Sequence, residues 1–255
     1  ILVIVSAIGS VVITYARRSV EAEIPKDRIY LFYAMFLLCL TGLLGIVITG
    51  DVFNLFVFLE ISSLSSYVMI SLGRDRRALT AAYRYLILGT IGATFYIIGV
   101  GLMYMMTGTL NMADLAALIP SVSNSRTIHT ALAFLTVGIG LKLAMFPLHL
   151  WLPNAYTYAP SVVSAFLAAT ATKVAAYILI RIIFTLFGEA NIFETASIQY
   201  TMMALAIIAM FIASIIATFQ NNMKRMFAYS SVAQIGYIIL GLSFASQIGV
   251  AASII

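Results

Sequence analysis

Charged residues are scarce in this chain of 255 residues: 14 Lys and Arg and 9 Asp and Glu together make up 9% of it. A soluble domain carries about 25% charged residues, so this chain cannot cover a globule with a solvated surface. The scarcity excludes an ordinary soluble enzyme, a disordered tail and a nucleic-acid-binding domain. Hydrophobic residues instead make up 63% of the chain, in apolar runs without alternation, which predicts an all-α, polytopic bundle of transmembrane helices.

Residues that form disulfides or bind metals are also few. The one cysteine, Cys39, lies inside an apolar run and has no second cysteine in the chain to pair with. No cluster of Cys and His has the spacing of a metal site, and no glycine motif follows a strand as a dinucleotide-binding fingerprint requires. We therefore expect no metal and no cofactor, and the chain by itself is typical of a transporter subunit rather than an enzyme.

Seven apolar segments predict membrane spans, and an eighth begins near Ala228. The fifth ends in a stretch broken by Pro147 and Pro153, which predicts a discontinuous helix. The loop over 107–128 contains a predicted short helix at Met112–Leu118. The predicted spans are about 1–16, 29–49, 52–72, 81–106, 129–147, 160–187, 199–219 and 228–242.

Both ends of the sequence fall inside apolar patterns. The chain starts at Ile1 with an apolar run under way and ends at Ile255 in mid-pattern. The opening run has no basic flank and no small-residue cleavage site, so it does not have the features of a signal peptide. We expect the sequence to be a fragment of a longer protein, truncated at both ends.

The basic residues lie almost entirely on one side of the predicted bundle. The loops on the other side carry a single basic residue together with four acids, and the positive-inside rule places the basic side in the cytoplasm. This pattern predicts a multi-pass protein of a prokaryotic plasma membrane. The basic loops are 17–28, 73–84, 148–159 and 220–227, and they hold Arg17, Arg18, Lys26, Arg28, Arg74, Arg76, Arg77, Arg84, Lys224 and Arg225. The opposite loops hold Arg126, Asp51, Asp114, Glu189 and Glu194.

Four charged residues remain within the predicted spans: Glu60, Lys142, Lys173 and Arg181. A charge at the middle of a membrane costs on the order of 3 kcal/mol, so such residues are functional candidates by default. Arg181 is the exception, because arginine does not deprotonate and this one lies near a span end. For it we expect snorkelling to the interface or pairing with a partner subunit.

The other three, with His149 in the proline-broken stretch, are candidates for a proton relay. Burial disfavours a charged lysine and a nearby glutamate favours it, so Lys142 or Lys173 between these influences can lose and regain a proton. Histidine titrates near neutrality. The alternatives are a structural ion pair for Glu60 and a packing role for a lone histidine.

Three segments resemble the proton-antiporter-like membrane subunits of respiratory complex I, Mrp-type cation/proton antiporters and membrane-bound hydrogenases. One is the run Lys-Leu-Ala-Met-Phe-Pro-Leu-His-Leu-Trp-Leu-Pro that begins at Lys142. The second, over 50–60, ends at Glu60 and looks like the family's glutamate helix. The third, over 220–237, is similar to a characteristic later helix of that family.

The resemblance implies a fold and a set of site residues. It implies a single domain over 1–255 built of inverted five-helix repeats, the first over about 29–187 and the second opening over about 199–255. It also implies that Glu60 and Lys142 form a coupled pair and that Lys173 is the second central lysine. We expect proton translocation by Glu60, Lys142, His149 and Lys173.

One departure bears on which complex the chain serves. Complex I subunits of this family usually have Asp-Ala-His after Trp-Leu-Pro, whereas this sequence has Asn154-Ala155-Tyr156. The difference looks closer to the D-type subunit of Mrp-type antiporters or to hydrogenase-associated relatives, and it removes a relay histidine. We expect a subunit of a multisubunit Na+/H+ antiporter, with complex I or a membrane hydrogenase as the alternative and a non-conducting assembly subunit as the third. The expected partners are other membrane subunits, the lipid bilayer, protons and Na+, with no nucleic acid.

Overall fold

Helices make up the architecture throughout residues 1–188, 196–244 and 246–254, the part of the chain that the computed structural model describes. Seven of the described helical segments are long and apolar enough to cross a membrane. The predicted all-α membrane bundle is therefore confirmed, while the inverted-repeat boundaries stay a prediction. The helices are α1 (Leu2–Glu23), α2 (Ile29–Ile48), α3 (Val52–Ser71), α4 (Arg76–Thr107), α5 (Met112–Val122), α6 (Arg126–Leu143), α7 (Leu152–Tyr158), α8 (Ser161–Ile180, continued by a π-helical turn over Arg181–Phe187), α9 (Ala196–Thr218), α10 (Met223–Ser243) and α11 (Gln247–Ile254).

The fifth predicted span is a helix in two pieces. Helix α6 ends at Leu143, because Ala144 adopts a left-handed conformation with φ 61° and Pro147 follows three residues later. Helix α7 resumes at Leu152 and packs against α4, α8 and α10. Helices α6 and α7 are thus the two pieces of the discontinuous helix that the prolines predict.

The prediction of a loop over 148–159 is wrong for most of this segment, because α7 occupies Leu152–Tyr158. Trp151, Leu152 and Tyr156 are each less than 5% exposed, so the segment is interior. The prediction failed because Pro153 was interpreted as a helix breaker, whereas it lies in the first turn of α7, where a missing N–H does no harm. The other predicted spans match helices, and the short helix in the loop over 107–128 is α5.

The ends of five helices meet at the basic side of the bundle. The Glu23 carboxylate at the end of α1 accepts a hydrogen bond from the Ser161 backbone N–H at 2.7 Å, the start of α8. The Lys224 ammonium on α10 donates to the Ala159 carbonyl at 3.1 Å, and the Arg77 guanidinium of α4 lies 5.8 Å from the centre of the Tyr158 ring. These contacts join loops that the charge pattern assigned to one side.

The opposite end is closed by a turn between α2 and α3. Asp51 caps α3, because its carboxylate accepts from the backbone N–H groups of Phe53 and Asn54 at 2.8 Å each. The Arg181 guanidinium donates to the Thr49 carbonyl, at the end of α2, at 2.6 Å. Arg181 thus has a partner within the chain. Glu189 and Glu194, predicted for this side, lie outside the described residues.

Helices α4 and α6 approach closely along a line of glycines. A Cβ placed on Gly138 of α6 would lie 2.7 Å from the Gly92 carbonyl oxygen of α4, so both positions need the smallest side chain. This close packing fixes the last turn of α6, which carries Lys142, beside α3.

Candidate functional site

Glu60 and Lys142 form an ion pair in the interior of the bundle. The Lys142 Nζ lies 3.1 Å from the Glu60 Oε1, although the two residues are 82 positions apart. The side chains are 6% exposed for Lys142 and 21% for Glu60. The structure therefore brings together the pair that the resemblance implied, in surroundings where two unpaired charges would be costly.

Two further side chains of α3 contact the Lys142 ammonium. It donates to the Ser63 Oγ at 2.7 Å and to the Tyr67 Oη at 3.4 Å. Neither contact was predicted from the sequence. The signal was available, because positions 60, 63 and 67 follow the spacing that places residues on one face of a helix.

Room for the Tyr67 hydroxyl comes from a glycine on the neighbouring helix. A Cβ added to Gly89 of α4 would overlap the Tyr67 Oη. The Tyr67 ring then meets Tyr85 edge to face, with ring centroids 4.5 Å apart, and Tyr85 stacks on Trp151 at 3.8 Å. These successive contacts, through Tyr67, Tyr85 and Trp151, connect Lys142 to the broken segment between α6 and α7.

Trp151 also satisfies the backbone at the break. Its indole Nε1 donates to the Leu141 carbonyl at 2.8 Å. At the end of α6 this carbonyl otherwise accepts only a longer bond of 3.3 Å from the Ala144 backbone N–H. The same aromatic side chain therefore stabilises the end of α6 and packs on the ring that supports Tyr67. The helix break and the ion pair are parts of one arrangement.

Lys142 lines two small cavities. Their volumes are about 10 and 20 Å³, about the room that one water molecule needs. One is lined by Glu60 and Tyr96, the other by Ser63, Ser66 and Tyr85, and Lys142 lines both. Lys142 thus borders two spaces about the size of a single water molecule.

His149 lies in the segment between α6 and α7 and is 6% exposed. Its ring stacks on Phe146 at 5.2 Å between centroids and meets Tyr229 of α10 at 6.5 Å. Within the described part of the chain its Nδ1 is buried without a hydrogen-bond partner. The side chain is thus close to α10 and holds a free buried nitrogen, and its relay role stays a prediction.

Lys173 does not contact the ion pair. The face of α8 that reaches the cavities beside Lys142 consists of apolar residues, Ala171, Val174 and Ile178 among them. Lys173 lies on another face and is exposed. Its ammonium donates to the Ala168 carbonyl at 2.7 Å and to the Thr172 Oγ1 at 3.4 Å. Its role in translocation likewise stays a prediction.

The arrangement provides groups that bind protons. Across the described part of the chain, the geometry identifies no cofactor site. Among the described residues, no group of three or more His, Cys, Asp or Glu side chains converges as a metal site would require. What the site does offer is a carboxylate, an ammonium, hydroxyls and small cavities in a mostly apolar interior. Such a set can hold, share and transfer protons.

Comparison with known proteins agrees with this chemistry. Residues 49–255 match the family described as NADH:quinone oxidoreductase/Mrp antiporter, transmembrane. The chain belongs to this family. It is 48% identical over 95% of its length to NADH-quinone oxidoreductase subunit N of Desulforudis audaxviator, covering 48% of that protein. It is 31% identical over 99% of its length to the D-type subunit of the Na+/H+ antiporter of Alkalihalophilus pseudofirmus, covering 50% of that protein.

The fold is also found in solved structures of large complexes. A chain of the archaeal membrane-bound sulfane sulfur reductase, a respiratory membrane complex, superposes with a TM-score of 0.85 at 35% identity, over 94% of this chain and 48% of that one. The chain thus spans about half the length of the relatives it matches. It is a multi-pass, antiporter-like membrane protein, and its bacterial relatives agree with the plasma membrane of a prokaryote.

Proposed function

We propose that the chain is part of a proton-translocating subunit, in which protons move among Glu60, Lys142, His149 and Lys173. The observation that carries the proposal is the buried contact of 3.1 Å between Glu60 and Lys142, beside two small cavities that Lys142 lines. A buried ion pair contributes little to stability compared with apolar residues of the same volume. A buried ion pair at this position is therefore better explained by charge movement than by a contribution to stability.

The mechanism follows from the competition for the lysine proton. While Glu60 lies beside Lys142, its negative charge and the hydroxyls of Ser63 and Tyr67 stabilise the ammonium. When the carboxylate moves away or is neutralised, burial favours the neutral amine, and the proton leaves through the adjacent water. The electrical work to be supplied is about 2.3 kcal/mol per charge per 100 mV, within the range of such a change in surroundings.

Two substitutions test the proposal in the complete complex reconstituted into vesicles. Lys142→Met and Glu60→Gln are expected to abolish proton movement, measured with a pH-sensitive dye, while subunit assembly on a native gel stays normal. Lys26→Met and Glu21→Gln serve as matched controls, since both side chains are exposed, and they should transport like the wild type. Wild-type proton movement in Lys142→Met and Glu60→Gln would refute the proposal.

We infer further that the subunit works with other membrane subunits of one complex, and two classes of complex are candidates. Coupling to Na+ in a multisubunit antiporter is the first, supported by the Asn154-Ala155-Tyr156 sequence and the likeness to an antiporter's D-type subunit. A redox-driven complex is the second, and the 48% identity to a quinone oxidoreductase subunit N favours it.

One measurement separates the two classes. In vesicles that contain the purified complex, an antiporter moves protons in response to an imposed Na+ gradient without any electron donor. A redox-driven complex moves them only when a donor and an acceptor are supplied. The copurified subunits give an independent readout, because only the second class brings subunits with redox centres.

A further inference from the structure

Two arginines near the start of α4, Arg77 and Arg84, are exposed and lack an acidic partner. Among the described residues neither forms an ion pair with a carboxylate. The acid that is closest in sequence, Asp75, has another role, because its carboxylate caps α4 by accepting from the Arg77 backbone N–H at 2.9 Å. Both guanidinium groups are therefore available to an anion from outside the chain.

The two arginines border a crevice between α4 and α7, called here the α4–α7 crevice. It has a volume of about 200 Å³, and no acidic residue lies among the described residues of its walls. Thr80 lines it from α4, between the arginines, while Asn154 and Tyr158 line it from α7. The Arg77 guanidinium lies 5.8 Å from the centre of the Tyr158 ring, an attractive contact that helps to hold the cation in place. The walls thus combine two cations with hydroxyl and amide groups that donate hydrogen bonds.

These groups suit a phosphate. Guanidinium groups bind phosphate oxygens in a bidentate geometry, which an ammonium cannot do. The volume is several times the roughly 30 Å³ that a water molecule occupies in the liquid, so a phosphate ester has room. The neighbouring crevice of about 510 Å³ is larger, but its walls include Glu23 and Asp75. Since these carboxylates disfavour an anion, the α4–α7 crevice is the better phosphate site of the two.

The length of α4 places this crevice at the level of lipid headgroups. The helix has 32 residues, so it is about 48 Å long, whereas the hydrocarbon core of a membrane is about 30 Å thick. Its charged residues, Arg76, Arg77 and Arg84, all lie near its start. The excess length therefore falls at that end, on the basic side of the bundle. The positive-inside rule assigns this side to the cytoplasm, where the membrane leaflet carries anionic lipids.

An exposed apolar stripe on α4 leads from the crevice into the membrane. Ile87, Ile91 and Ile98 are 43%, 43% and 41% exposed. Positions 84, 91 and 98 are seven residues apart, close to two helical turns, and position 87 shares their face. The acyl chains of a phospholipid can pack along such a stripe, whereas a soluble phosphate compound makes no use of it. The stripe therefore favours a lipid as the source of the phosphate.

We propose that the α4–α7 crevice binds the headgroup phosphate of an anionic phospholipid. Arg77 and Arg84 hold the phosphate, and the acyl chains lie along Ile87 and Ile91. The lipid is anionic rather than zwitterionic, because a headgroup with its own cation would bring a third positive charge to the two arginines. Binding here does not depend on proton translocation, so either proposal can fail without the other.

The test uses the complete complex in nanodiscs of phosphatidylcholine, a zwitterionic lipid, with added phosphatidylglycerol that carries a photoreactive group in its acyl chain. After illumination, mass spectrometry is expected to find the label on α4 around Ile87 and Ile91. Because each basic side chain near an anionic surface contributes about 1 kcal/mol, or about fivefold in affinity, Arg84→Gln should weaken labelling about fivefold, and Arg77→Gln with Arg84→Gln about 25-fold. A native gel checks that each variant assembles.

The matched control is Arg17→Gln with Arg18→Gln, which removes the same charge from exposed positions on the same side of the bundle. Labelling of α4 should then stay at the wild-type level. Equal losses in the two double variants would show a diffuse attraction to the basic surface and would overturn the site.

Competition identifies the occupant. Unlabelled phosphatidylglycerol should displace the photoreactive lipid, whereas inorganic phosphate should not. Displacement by inorganic phosphate would show a site for a soluble phosphate compound, and the lipid proposal would be wrong. An absence of label on α4 in the wild type, with a neighbouring subunit covering the crevice, would overturn it as well.

Discussion

The two lysines within the membrane, Lys142 and Lys173, lie in opposite kinds of surroundings. Lys142 is enclosed by a carboxylate, a serine and a tyrosine from one face of α3, and its side chain is 6% exposed. Lys173 is exposed, and its ammonium contacts only groups of its own helix, Ala168 and Thr172, among the described residues. The difference shows that one lysine is bound to a counter-charge, whereas the other has no acidic partner among the described residues.

The largest expected effect comes from reversing one charge of the enclosed pair. Glu60→Lys places two cations in contact at the middle of the membrane and should destabilise the protein by about 3–5 kcal/mol, the cost of an uncompensated buried charge. We expect the variant to be lost from the assembled complex. The swap of both residues, Glu60→Lys with Lys142→Glu, restores opposite charges and should recover assembly, measured by native gel and thermal melting. A stable Glu60→Lys single variant would contradict the pair's burial.

At the exposed lysine, we expect a substitution to reduce proton movement without reducing stability. Lys173→Arg keeps the charge but removes the ability to release a proton. Proton movement should fall by about 100-fold or more, the scale on which a positioned acid or base contributes. Because the position is exposed, the melting temperature should stay at the wild-type value. Unchanged transport in Lys173→Arg would show that Lys173 serves charge or solubility alone.

A smaller effect is expected at the glycine that makes room for Tyr67. Gly89→Ala places a Cβ against the Tyr67 hydroxyl and should cost about 1–3 kcal/mol through overpacking. It should also lower proton movement, because Tyr67 is displaced from Lys142. The matched control is Gly101→Ala in the same helix, where nothing lies within 4 Å of the added Cβ. Equal melting temperatures for the two variants would argue against the tight fit.

The smallest effect is expected at the serine that accepts from Lys142. Ser63→Ala removes a hydrogen bond of 2.7 Å to the ammonium, which keeps Glu60 and Tyr67 as partners, so it should destabilise the protein by about 0.5–1.5 kcal/mol. Ser62→Ala is the control, since the Ser62 hydroxyl donates to the Leu59 carbonyl of its own helix. Thermal melting of the two variants measures the difference. If Ser62→Ala is the less stable of the two, the contact with Lys142 is not the important one.

Much of the fold was predictable because the membrane imposes simple rules on a sequence. Apolar runs of sufficient length indicated the spans, and the alternation of basic and acidic loops indicated the side of the bundle on which each loop lies. The segment over 148–159 was not predictable in the same way. Its burial depends on contacts of Trp151 with Tyr85 and with the end of α6, which join residues far apart in the chain.

The candidate site shows the same division. Glu60 and Lys142 were recognisable individually, since a charge in an apolar run is costly and therefore informative. Helical spacing places Ser63 and Tyr67 on the same face of α3 as Glu60. Only the position of α6 decides which of the polar residues on α3 contact the lysine. Tyr156 appeared in the sequence only as a departure from a family pattern, and its burial is a property of the packed structure.

The sequence by itself determined that this chain crosses a membrane many times. It also determined which side of the bundle carries the positive charge and which ionisable residues lie within the spans. These are consequences of local composition, because the cost of a charge in lipid depends on the residue and its depth. Only the tertiary structure decided that Lys142 is bound to Glu60 and that Lys173 faces outward. Such contacts depend on how helices distant in sequence pack together, and here the close approach of α4 and α6 at Gly92 and Gly138 sets that geometry.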